Sequence, residues 1–514
     1  MTENRNAALY FVDRHVTEGR ADKIAFREAA DERRQIKYGE LATQSGCVAS
    51  ALSRAGIQRE ERAVMLVLDQ IEYPQVFWGC LTAGVIPVPL NTLLSTSLYN
   101  TVLRDSRAAC LFVSHELLPV VGPALKDNPY LRKIVVIGGD TPETMVSYSD
   151  FLDGCAPSDP IEVSGDEVAF WLYSSGSTGQ PKGVRHIHDS LKSTADTYGN
   201  QVLGIREDDV VYSVAKIFFA YGLGNAMTFP MSVGATTVLL AGRPTPDVVV
   251  DILEKERATV FCGVPTLYAA TVAYLEQASG KRDLALRTCI SAGEALPAEV
   301  GKRWHEILGV DILDGVGSTE MLHIFLSNAP GDIEYGTSGT AVPGYDIRLV
   351  DETGADVAAG GIGELLVRGA SASDGYWNQR TKSRQTFEGE WTRTGDKYEL
   401  MESGRLIYCG RTDDMFKVSG IWVSPFEVEQ ALISHPAVLE AAVVSVRDDK
   451  DLEKPAAFVV LKDGQSSDGL DAVLKDLVKE QIGKWKYPRW IKFVPDLPKT
   501  ATGKIQRFKL RETS

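Results

Sequence analysis

Short apolar runs, rich in valine, isoleucine and leucine, alternate along most of the chain with longer segments in which apolar residues recur every three or four positions. A strand that is buried on both faces is apolar throughout, whereas a surface helix keeps one apolar stripe. The alternation therefore predicts strands and helices in layered α/β sheets. The clearest predicted strands are 63–68, 108–113, 133–137, 168–173 and 235–240, and the clearest predicted helices are 38–55 and 246–257.

The pattern changes twice in the second half of the chain. From Gly336 to Tyr408 short apolar segments are separated by glycines, which predicts a small β-rich subdomain. After Asp413-Asp414 the apolar spacing predicts a helix, two strands and a helix, at 425–435, 439–446, 455–461 and 470–481.

These patterns predict the fold class and the domains. The class is α/β, with a large N-terminal domain over residues 1–412 and a small α+β domain over residues 413–514. The large domain would contain two layered α/β subdomains and the small β-rich subdomain.

Composition narrows the class of protein. The 514 residues are 44% hydrophobic and 24% charged, which is typical of a soluble globular chain. A formal net charge of −15 argues against a nucleic-acid partner, because a polyanion needs a basic surface. No apolar run reaches the roughly 18 residues that span a bilayer, and residues 1–6 lack a secretion-signal core. We therefore expect no membrane association and a cytoplasmic location.

A glycine- and hydroxyl-rich segment follows the predicted strand at 168–173. Glycines let backbone N–H groups approach an anion closely, while hydroxyls add donors and a lysine adds positive charge. The composition indicates a phosphate-binding loop, although the Walker pattern of a Gly-Lys pair followed by Ser or Thr is missing. Its candidate phosphate ligands are Ser174, Ser175, Gly176, Ser177, Thr178, Gly179 and Lys182.

Further short motifs follow this loop in a fixed order. They are Ser-Ala-Gly-Glu-Ala-Leu-Pro at 291–297, Asp-Gly-Val-Gly-Ser-Thr-Glu at 314–320, Thr-Gly-Asp at 394–396, Gly-Arg-Thr-Asp-Asp at 410–414, Lys-Val-Ser-Gly at 417–420 and Pro-Lys-Thr-Ala-Thr-Gly-Lys at 498–504. Together with the loop, and from about residue 30 to the end, these motifs resemble the acyl-adenylate-forming (ANL) superfamily, which includes acyl- and aryl-CoA ligases, peptide-synthetase adenylation domains and luciferases.

The resemblance implies that a carboxylic acid attacks the α-phosphorus of ATP and forms an acyl-adenylate. Thr319 would contact phosphate, and Glu320 would hold Mg²⁺, a hard cation that prefers carboxylate oxygens. Lys504 would reach the carboxylate and the α-phosphate during AMP transfer. The implied adenine and ribose positions are Ala292, Gly293, Glu294, Asp314, Gly315, Asp396 and Arg411.

The resemblance also implies a second half-reaction, in which a thiol takes the acyl group. Asp413 matches the hinge of a mobile small domain, whose rotation would withdraw Lys504. The same rotation would present Lys417, Ser419 and Gly420 to the thiol. We expect that thiol to be coenzyme A, because the sequence shows no carrier-protein segment with a modifiable serine.

The segment Lys216–Gly224 matches the part of the family that sets acyl specificity. Peptide-synthetase domains place an aspartate there, but no acid lies between Lys216 and Leu240, so an amino-acid substrate is not expected. The segment resembles benzoate-CoA ligases and their hydroxy- and aminobenzoate relatives, which implies a flat aromatic acid held by ring contacts. The implied pocket residues are Phe219, Ala220, Tyr221, Gly317, His323 and Ile324.

The sequence leaves several points open. His323 is either a core histidine or a ligand of a ring substituent such as a 4-hydroxyl. The predicted activity is that of an aryl-CoA ligase. The alternatives are a stand-alone aryl-adenylating enzyme that loads a carrier protein, and a nucleotide-binding relative without catalysis. Retention of Lys182, Glu320 and Lys504 argues against the last alternative. Both a monomer and a homodimer are compatible with the sequence.

Overall fold

The computed structural model describes residues 4–175, 181–277, 282–418, 421–449, 452–499 and 505–512. The chain divides into two compact units. The first unit consists of Met1–Asp346 and Val367–Thr392, and the second of Ile347–Leu366 and Arg393–Ser514. No helix within the described ranges is long and apolar enough to cross a lipid bilayer.

The strands follow the apolar runs of the sequence closely; for example, the strand predicted at 133–137 has those bounds. In chain order the strands are β1 (Ile24–Glu28), β2 (Asp31–Lys37), β3 (Arg62–Leu66), β4 (Ile86–Pro89), β5 (Cys110–Ser114), β6 (Lys133–Ile137), β7 (Val146–Ser147), β8 (Val168–Ser175), β9 (Pro181–Ile187), β10 (Val210–Ser213), β11 (Thr236–Leu239), β12 (Val260–Gly263), β13 (Thr288–Ser291), β14 (Ile312–Gly317), β15 (Ile324–Ser327), β16 (Thr340–Ala341), β17 (Asp346–Val350), β18 (Ile362–Arg368), β19 (Gly375–Tyr376), β20 (Phe387–Glu388), β21 (Trp391–Leu400), β22 (Leu406–Arg411), β23 (Phe416–Val418), β24 (Ile421–Val423), β25 (Val438–Arg447), β26 (Glu453–Leu461) and β27 (Trp490–Phe493).

The helices predicted at 38–55 and 246–257 are present as Tyr38–Arg54 and Pro246–Lys255. In chain order the α-helices are α1 (Arg14–Thr17), α2 (Tyr38–Arg54), α3 (Glu72–Ala83), α4 (Thr96–Ser106), α5 (Leu118–Leu125), α6 (Tyr148–Leu152), α7 (His188–Thr194), α8 (Ala220–Leu223), α9 (Phe229–Val233), α10 (Pro246–Lys255), α11 (Pro265–Gln277), α12 (Ala298–Leu308), α13 (Arg380–Thr386), α14 (Pro425–Ile433), α15 (Leu470–Ile482) and α16 (Arg507–Glu512). Wider π-helical turns occupy Leu9–Asp13, Ala195–Val202 and Gly224–Thr228, and a 3₁₀ turn occupies His115–Leu117.

The first unit contains a parallel sheet of order β4-β3-β5-β6-β7. Its central strands are buried along most of their length, because α4 and α5 cover one face. Tyr99 and Val102 on α4 pack with Val64 and Leu111 of the sheet. Burial on this scale contributes roughly 1.5–3 kcal/mol for each fully buried aliphatic side chain.

A larger mixed sheet of the same unit has the order β16-β15-β14-β13-β12-β10-β11-β1-β2. Helices α10, α11 and α12 pack on it through a core that includes Val249, Tyr268 and Trp304. Strands β12, β13 and β14 run parallel, with Gly263 paired to Ser291 and Ser291 paired to Asp314. Ligands of parallel sheets bind at the carboxyl ends of the strands, and these residues lie at that edge.

A smaller antiparallel sheet of order β19-β9-β8 carries the start of the predicted phosphate loop. Trp171 on β8 packs against Trp377, with ring centroids 4.7 Å apart. The Trp377 indole N–H donates to the carbonyl of Asp105 on α4 at 2.9 Å. This packing fixes the base of the loop against a helix of the parallel sheet.

In the described part of the second unit three sheets are present, one of which is the two-stranded pair of β23 and β24. β18 lies between β17 and β21, and β22 pairs with β21. Farther along the chain, β25, β26 and β27 form a sheet on which α14 and α15 pack through Val428, Leu432 and Leu474. The predicted α/β class, with a β-rich segment and a small α+β part at the C-terminal end, is confirmed. The division at residue 412 into a fixed and a mobile domain stays a prediction.

Candidate active site

The phosphate loop predicted at 174–182 connects two paired strands. β8 and β9 are antiparallel, and their register places Ser174 opposite Lys182. The Ser174 hydroxyl is buried and has no hydrogen-bond partner among the described residues. Gly176, Ser177, Thr178 and Gly179 lie outside the described residues, and Ser175 ends β8.

Lys182 and Glu320 form an ion pair in the first unit. The Lys182 ammonium lies 3.1 Å from Glu320 Oε1, and both side chains are largely buried. The Tyr376 hydroxyl donates to the same oxygen at 2.8 Å, and its ring lies 4.5 Å from the ammonium. Burial by itself raises the pKa of Glu320, but Lys182 and the Tyr376 hydroxyl outweigh it and lower the pKa. Glu320 is therefore an ionised carboxylate.

His186 fixes the backbone next to Glu320. Its Nε2 lies 2.8 Å from the carbonyl oxygen of Thr319, so the ring donates this hydrogen bond. The imidazole stacks on Phe170, with centroids 5.1 Å apart. Burial lowers the pKa of His186 to about 4, so the ring is neutral near pH 7. Two residues of β9 therefore hold this segment: Lys182 pairs with the Glu320 carboxylate, and His186 donates to the Thr319 carbonyl.

The predicted adenine residues lie at the carboxyl edge of the large sheet. Asp314 on β14 accepts a hydrogen bond from the Leu296 N–H at 3.3 Å, which holds the loop after β13 against the strand. Gly293 in that loop has φ +96°, a conformation that favours glycine. Burial raises the pKa of Asp314 to about 8. The structure therefore brings Ala292, Gly293 and Glu294 beside Asp314 and Gly315.

The predicted acyl segment is anchored at Tyr221. Its hydroxyl lies 3.1 Å from the Gly263 carbonyl and 3.2 Å from the Ile290 carbonyl, near the ends of β12 and β13. Phe219 precedes α8 and lies with its centroid 4.4 Å from that of Phe218. Ala220 and Tyr221 form the first turn of α8, so the segment is part of a fixed helix start.

His323 lies inside an aromatic cluster. Its ring centroid is 4.5 Å from Phe229, 5.3 Å from Tyr198 and 5.7 Å from Tyr221. Nε2 lies 3.3 Å from the Tyr221 carbonyl oxygen and donates to it, whereas Nδ1 has no partner among the described residues. Burial lowers the pKa of His323 to about 3, so the ring is neutral and Nδ1 is an acceptor.

The remaining pocket residues follow from the pairing of β14 with β15. Gly317 lies opposite Ile324, and a Cβ at Gly317 would come within 2.5 Å of the His323 carbonyl oxygen. Ile324 is buried. Glycine is therefore required where β14 passes the backbone of His323.

The predicted ribose residues lie in the second unit. β21 and β22 pair Asp396 with Arg411, and the two side chains form an ion pair of 2.9 Å. The Arg411 guanidinium also donates to the Thr394 carbonyl at 3.1 Å. Gly395 has φ +72°, and a Cβ there would come within 2.9 Å of this guanidinium. The Thr-Gly-Asp motif thus forms a tight turn against Arg411.

The predicted hinge and thiol-site residues follow in the same unit. Asp413 is exposed, and its carbonyl oxygen accepts a 3.5 Å hydrogen bond from Arg511. Lys417 lies on β23, where it pairs with Trp422. Ser419, Gly420 and Lys504 lie outside the described residues.

Sequence reasoning did not assign Tyr376 or His186 to the site, although both contact its residues. Tyr376 lies on the short strand β19, far from Glu320 in sequence, and no motif identified above includes it. The β19–β9 pairing that brings it to Lys182 is long-range, so only the fold reveals it. His186 and Lys182 lie four residues apart on β9, so their side chains lie on the same face of the strand. This spacing was the signal in the sequence that could have identified His186.

Comparisons with known proteins agree with this geometry. The family model described as AMP-binding enzyme matches residues 12–377, and that of the AMP-binding enzyme C-terminal domain matches residues 427–504. The chain is 52% identical to a 4-hydroxybenzoate--CoA/benzoate--CoA ligase of Rhodopseudomonas palustris, covering 99% of this chain and 94% of that protein. It is 51% identical to a benzoate--CoA ligase of Thauera aromatica, with coverages of 99% and 96%. The crystal structure of a benzoate CoA ligase from Burkholderia xenovorans LB400 has a TM-score of 0.90 at 47% identity, covering 99% of this chain and 100% of that chain.

Proposed function

The chain belongs to the AMP-binding enzyme family, and from this premise we propose that it is an AMP-forming aryl-CoA ligase of the benzoate-CoA ligase type. A benzoate oxygen first attacks the α-phosphorus of ATP and expels pyrophosphate. The CoA thiol then loses its proton, attacks the acyl carbon of the aryl-adenylate and expels AMP. The predicted superfamily and ligase class agree with the relatives over nearly the whole chain.

The observation that supports an aromatic acid as the substrate is the neutral cluster of rings around His323. Tyr198, Tyr221 and Phe229 surround an imidazole that carries no charge near pH 7. An amino-acid substrate needs an acidic partner for its ammonium group, and this cluster supplies none of its own. A flat aromatic ring gains edge and face contacts there.

For the first step we assign charge neutralisation to Lys182 and, through the metal ion that it would hold, to Glu320. Both reactants are anions, so adenylation depends on fixed positive charge and orientation. The Lys182 and Tyr376 contacts both reach Glu320 Oε1, so Oε2 of an ionised carboxylate carries neither of them. We propose that Glu320 holds Mg²⁺ with the phosphates of ATP, and the ion supplies Lewis-acid charge stabilisation when it is bound.

For the rest of the ATP site the proposal follows the motifs. Residues 174–179, with Lys182 and Thr319, would contact the phosphates, and the loop after β13 with Asp314 would take the adenine. A carboxylate such as Asp396 accepts hydrogen bonds from ribose hydroxyls, and Arg411 orients it through their ion pair. Lys504 would contact the reacting carboxylate, and rotation at Asp413 would bring Lys417, Ser419 and Gly420 to CoA.

A hydroxybenzoate is a second candidate substrate, favoured by one specific observation. His323 donates through Nε2, so its Nδ1, which has no partner among the described residues, can accept a hydrogen bond from a phenolic O–H. One relative of the chain is named for both 4-hydroxybenzoate and benzoate. The two acids differ by one polar group, so selectivity between them measures the role of this nitrogen.

The function is tested by measuring the AMP and the acyl-CoA that form when the protein is supplied with ATP, CoA and one acid at a time. The acids are benzoate, 4-hydroxybenzoate, 2-aminobenzoate, cyclohexanecarboxylate and a medium-chain fatty acid. We expect benzoyl-CoA and AMP in equal amounts when CoA is present. A carrier-loading enzyme would adenylate benzoate without forming benzoyl-CoA. A fatty acid as the best substrate would contradict the assignment of the ring pocket, and no AMP with any acid would contradict the activity.

A further inference from the structure

Asp69 is a buried carboxylate that no motif includes. It lies in the turn between β3 and α3, in the first unit, and its side chain is only 5% exposed. Oδ1 accepts a hydrogen bond from the Ile217 N–H at 3.3 Å, and Oδ2 lies 3.9 Å from the Lys216 ammonium. Asp69 therefore links the parallel sheet to the first residues of the acyl segment Lys216–Gly224.

Lys216 is held from a second direction. Its ammonium donates to the carbonyl oxygens of Leu240, of Ala241 at 3.4 Å and of Gly242 at 2.9 Å, just after β11. Burial lowers the pKa of Lys216, while the negative charge of Asp69 raises it. The residue thus joins the end of β11 to Asp69 and fixes the start of the acyl segment between two sheets.

The backbone transmits this position to the ring-binding residues. The Phe219 N–H donates to the Lys216 carbonyl at 3.0 Å, and the Leu223 N–H donates to the Phe219 carbonyl at 2.7 Å. Gly222 packs so closely on the same peptide that a Cβ there would lie 2.0 Å from the Lys216 oxygen. A shift of Lys216 therefore moves the turn that carries Phe219, Ala220 and Tyr221.

We propose that Asp69 is a positioning residue for the aryl acid, acting through Lys216 and the Ile217 peptide on the ring-binding turn. The proposal rests on the proposed function, in which the segment 216–224 contacts the acid. It extends that function to a residue which touches neither the acid nor ATP. Small displacements of a binding element are costly, because productive geometry tolerates errors of only about 0.5 Å.

The surroundings of Asp69 determine how it responds to pH. Burial raises its pKa to about 6, and Lys216 opposes that rise. Among the described residues, the Tyr73 and Tyr212 hydroxyls also interact with Asp69, and burial raises the pKa of both above the ordinary tyrosine value. Lowering the pH through 6 protonates Asp69 and removes the charge opposite Lys216, while the tyrosines stay neutral.

The proposal is tested with Asp69→Asn and Asp69→Ala in steady-state assays of benzoyl-CoA formation. Asn keeps an acceptor for the Ile217 N–H and loses the charge, whereas Ala loses both. We expect KM for benzoate to rise about threefold in the Asn variant and about tenfold in the Ala variant. KM for ATP and kcat should change less than about twofold, because Asp69 contacts none of the predicted ATP residues that the structure describes.

Asp209→Asn is the matched control. Asp209 is equally buried in the same unit and accepts a hydrogen bond from Arg287 at 2.8 Å, but it does not contact the acyl segment. The control should lower thermal stability and leave KM for benzoate unchanged. An equal rise of KM in the control would show a general effect of buried charge and would overturn the proposal.

A pH series keeps the test decisive if Asp69→Ala does not fold. In the wild type, KM for benzoate should rise as the pH falls from about 7.5 to about 5.5, and it should approach the value of Asp69→Asn. That variant should show a smaller pH dependence. Identical pH profiles, or unchanged KM in active Asp69 variants, would overturn the inference alone. A wild type that forms no aryl-CoA would instead overturn the proposed function.

Discussion

Lys182, Glu320 and Tyr376 form a polar cluster, in which an ammonium and a hydroxyl both contact one oxygen of the Glu320 carboxylate. His323, by contrast, lies in a cluster of rings that carries no charge near pH 7. Both clusters belong to the first unit, and both are largely buried. In the polar cluster, ion pairing lowers the pKa of the acid despite burial. In the ring cluster, burial outweighs the hydrogen bond to the Tyr221 carbonyl, lowers the pKa of His323 and leaves the imidazole neutral.

The difference indicates that the two clusters have separate roles in the proposed reaction. Phosphoryl chemistry between anions depends on preorganised charge, so disturbing the polar cluster should affect the rate of adenylation. Selection of a benzoate depends on shape and on single hydrogen bonds, so disturbing the ring cluster should affect which acid is used. The variants below test whether the two effects separate.

Lys504→Ala should have the largest effect on the charge-dependent step. Loss of the cation proposed to contact the reacting carboxylate and α-phosphate should slow adenylation about 10²- to 10³-fold. Benzoate-dependent pyrophosphate release measures this step. Formation of benzoyl-CoA from supplied benzoyl-adenylate is the control and should stay within a few-fold of wild type. Unchanged pyrophosphate release would remove the role of Lys504.

Glu320→Gln should slow the same step about 10²-fold, because the amide keeps the size of the side chain but loses the charge proposed to hold Mg²⁺. A titration of Mg²⁺ at saturating ATP measures the change in metal requirement. Glu256→Gln is the control, since Glu256 is a buried carboxylate that pairs with Arg27 at 2.7 Å outside the cluster. A normal Mg²⁺ requirement in Glu320→Gln would contradict the metal assignment.

Tyr376→Phe should lower the adenylation rate about tenfold, with KM for benzoate little changed. The variant keeps the ring beside the Lys182 ammonium but removes the hydroxyl that donates to Glu320, which is a hydrogen bond to a charged group. Tyr345→Phe removes a comparable buried hydroxyl, bonded to Ser371 at 2.7 Å, and serves as the control. Equal losses in both variants would refute a specific role of Tyr376.

His323→Leu should change selectivity rather than rate. Without Nδ1, kcat/KM for 4-hydroxybenzoate should fall about three- to tenfold relative to benzoate, the value of one neutral hydrogen bond. Competition between the two acids, with both thioesters quantified, measures the ratio directly. If the ratio is unchanged, His323 is a core histidine, which is the other interpretation that the sequence allowed.

The same variant should show the smallest effect, a flatter dependence of thermal stability on pH. The pKa of His323 is about 3 in the folded state and near 6.5 in the unfolded chain, so the unfolded chain binds more protons as the pH falls below 6.5. Stability from the neutral ring is present above pH 6.5 and is lost toward pH 3. At pH 5 the wild type should lose about 2–4 °C more in Tm than His323→Leu, each relative to pH 7.5. Parallel curves would contradict the depressed pKa.

Much of the fold was predictable from local pattern. The run at 133–137 and the helix at 246–257 are decided by apolar spacing and by a proline at the helix start, which are features of neighbouring residues. Pairing was less predictable. Strand β1, near the N-terminus, lies beside β11 with Phe26 opposite Thr237, and no local signal specifies such a distant partner.

The candidate site shows the same limit. Motif order identified Lys182 and Glu320, and the structure places them 3.1 Å apart. Motif order did not identify Tyr376 or Asp69, because each residue reaches its partner through the packing of separate sheets. The pKa values were equally inaccessible from sequence. Whether a histidine or an acid is charged depends on burial and on neighbours that only the fold supplies.

The contact of Gly222 with the Lys216 carbonyl has a consequence for engineering the acid specificity. A backbone oxygen 2.0 Å from a new Cβ cannot move aside as a flexible side chain does, so every substitution at Gly222 must rebuild the turn. In a mutant library that randomises the whole segment, most variants therefore carry a substitution at Gly222 that disrupts the turn. Diversity is better placed at Phe219, Ala220, His323 and Ile324, with Gly222 kept constant.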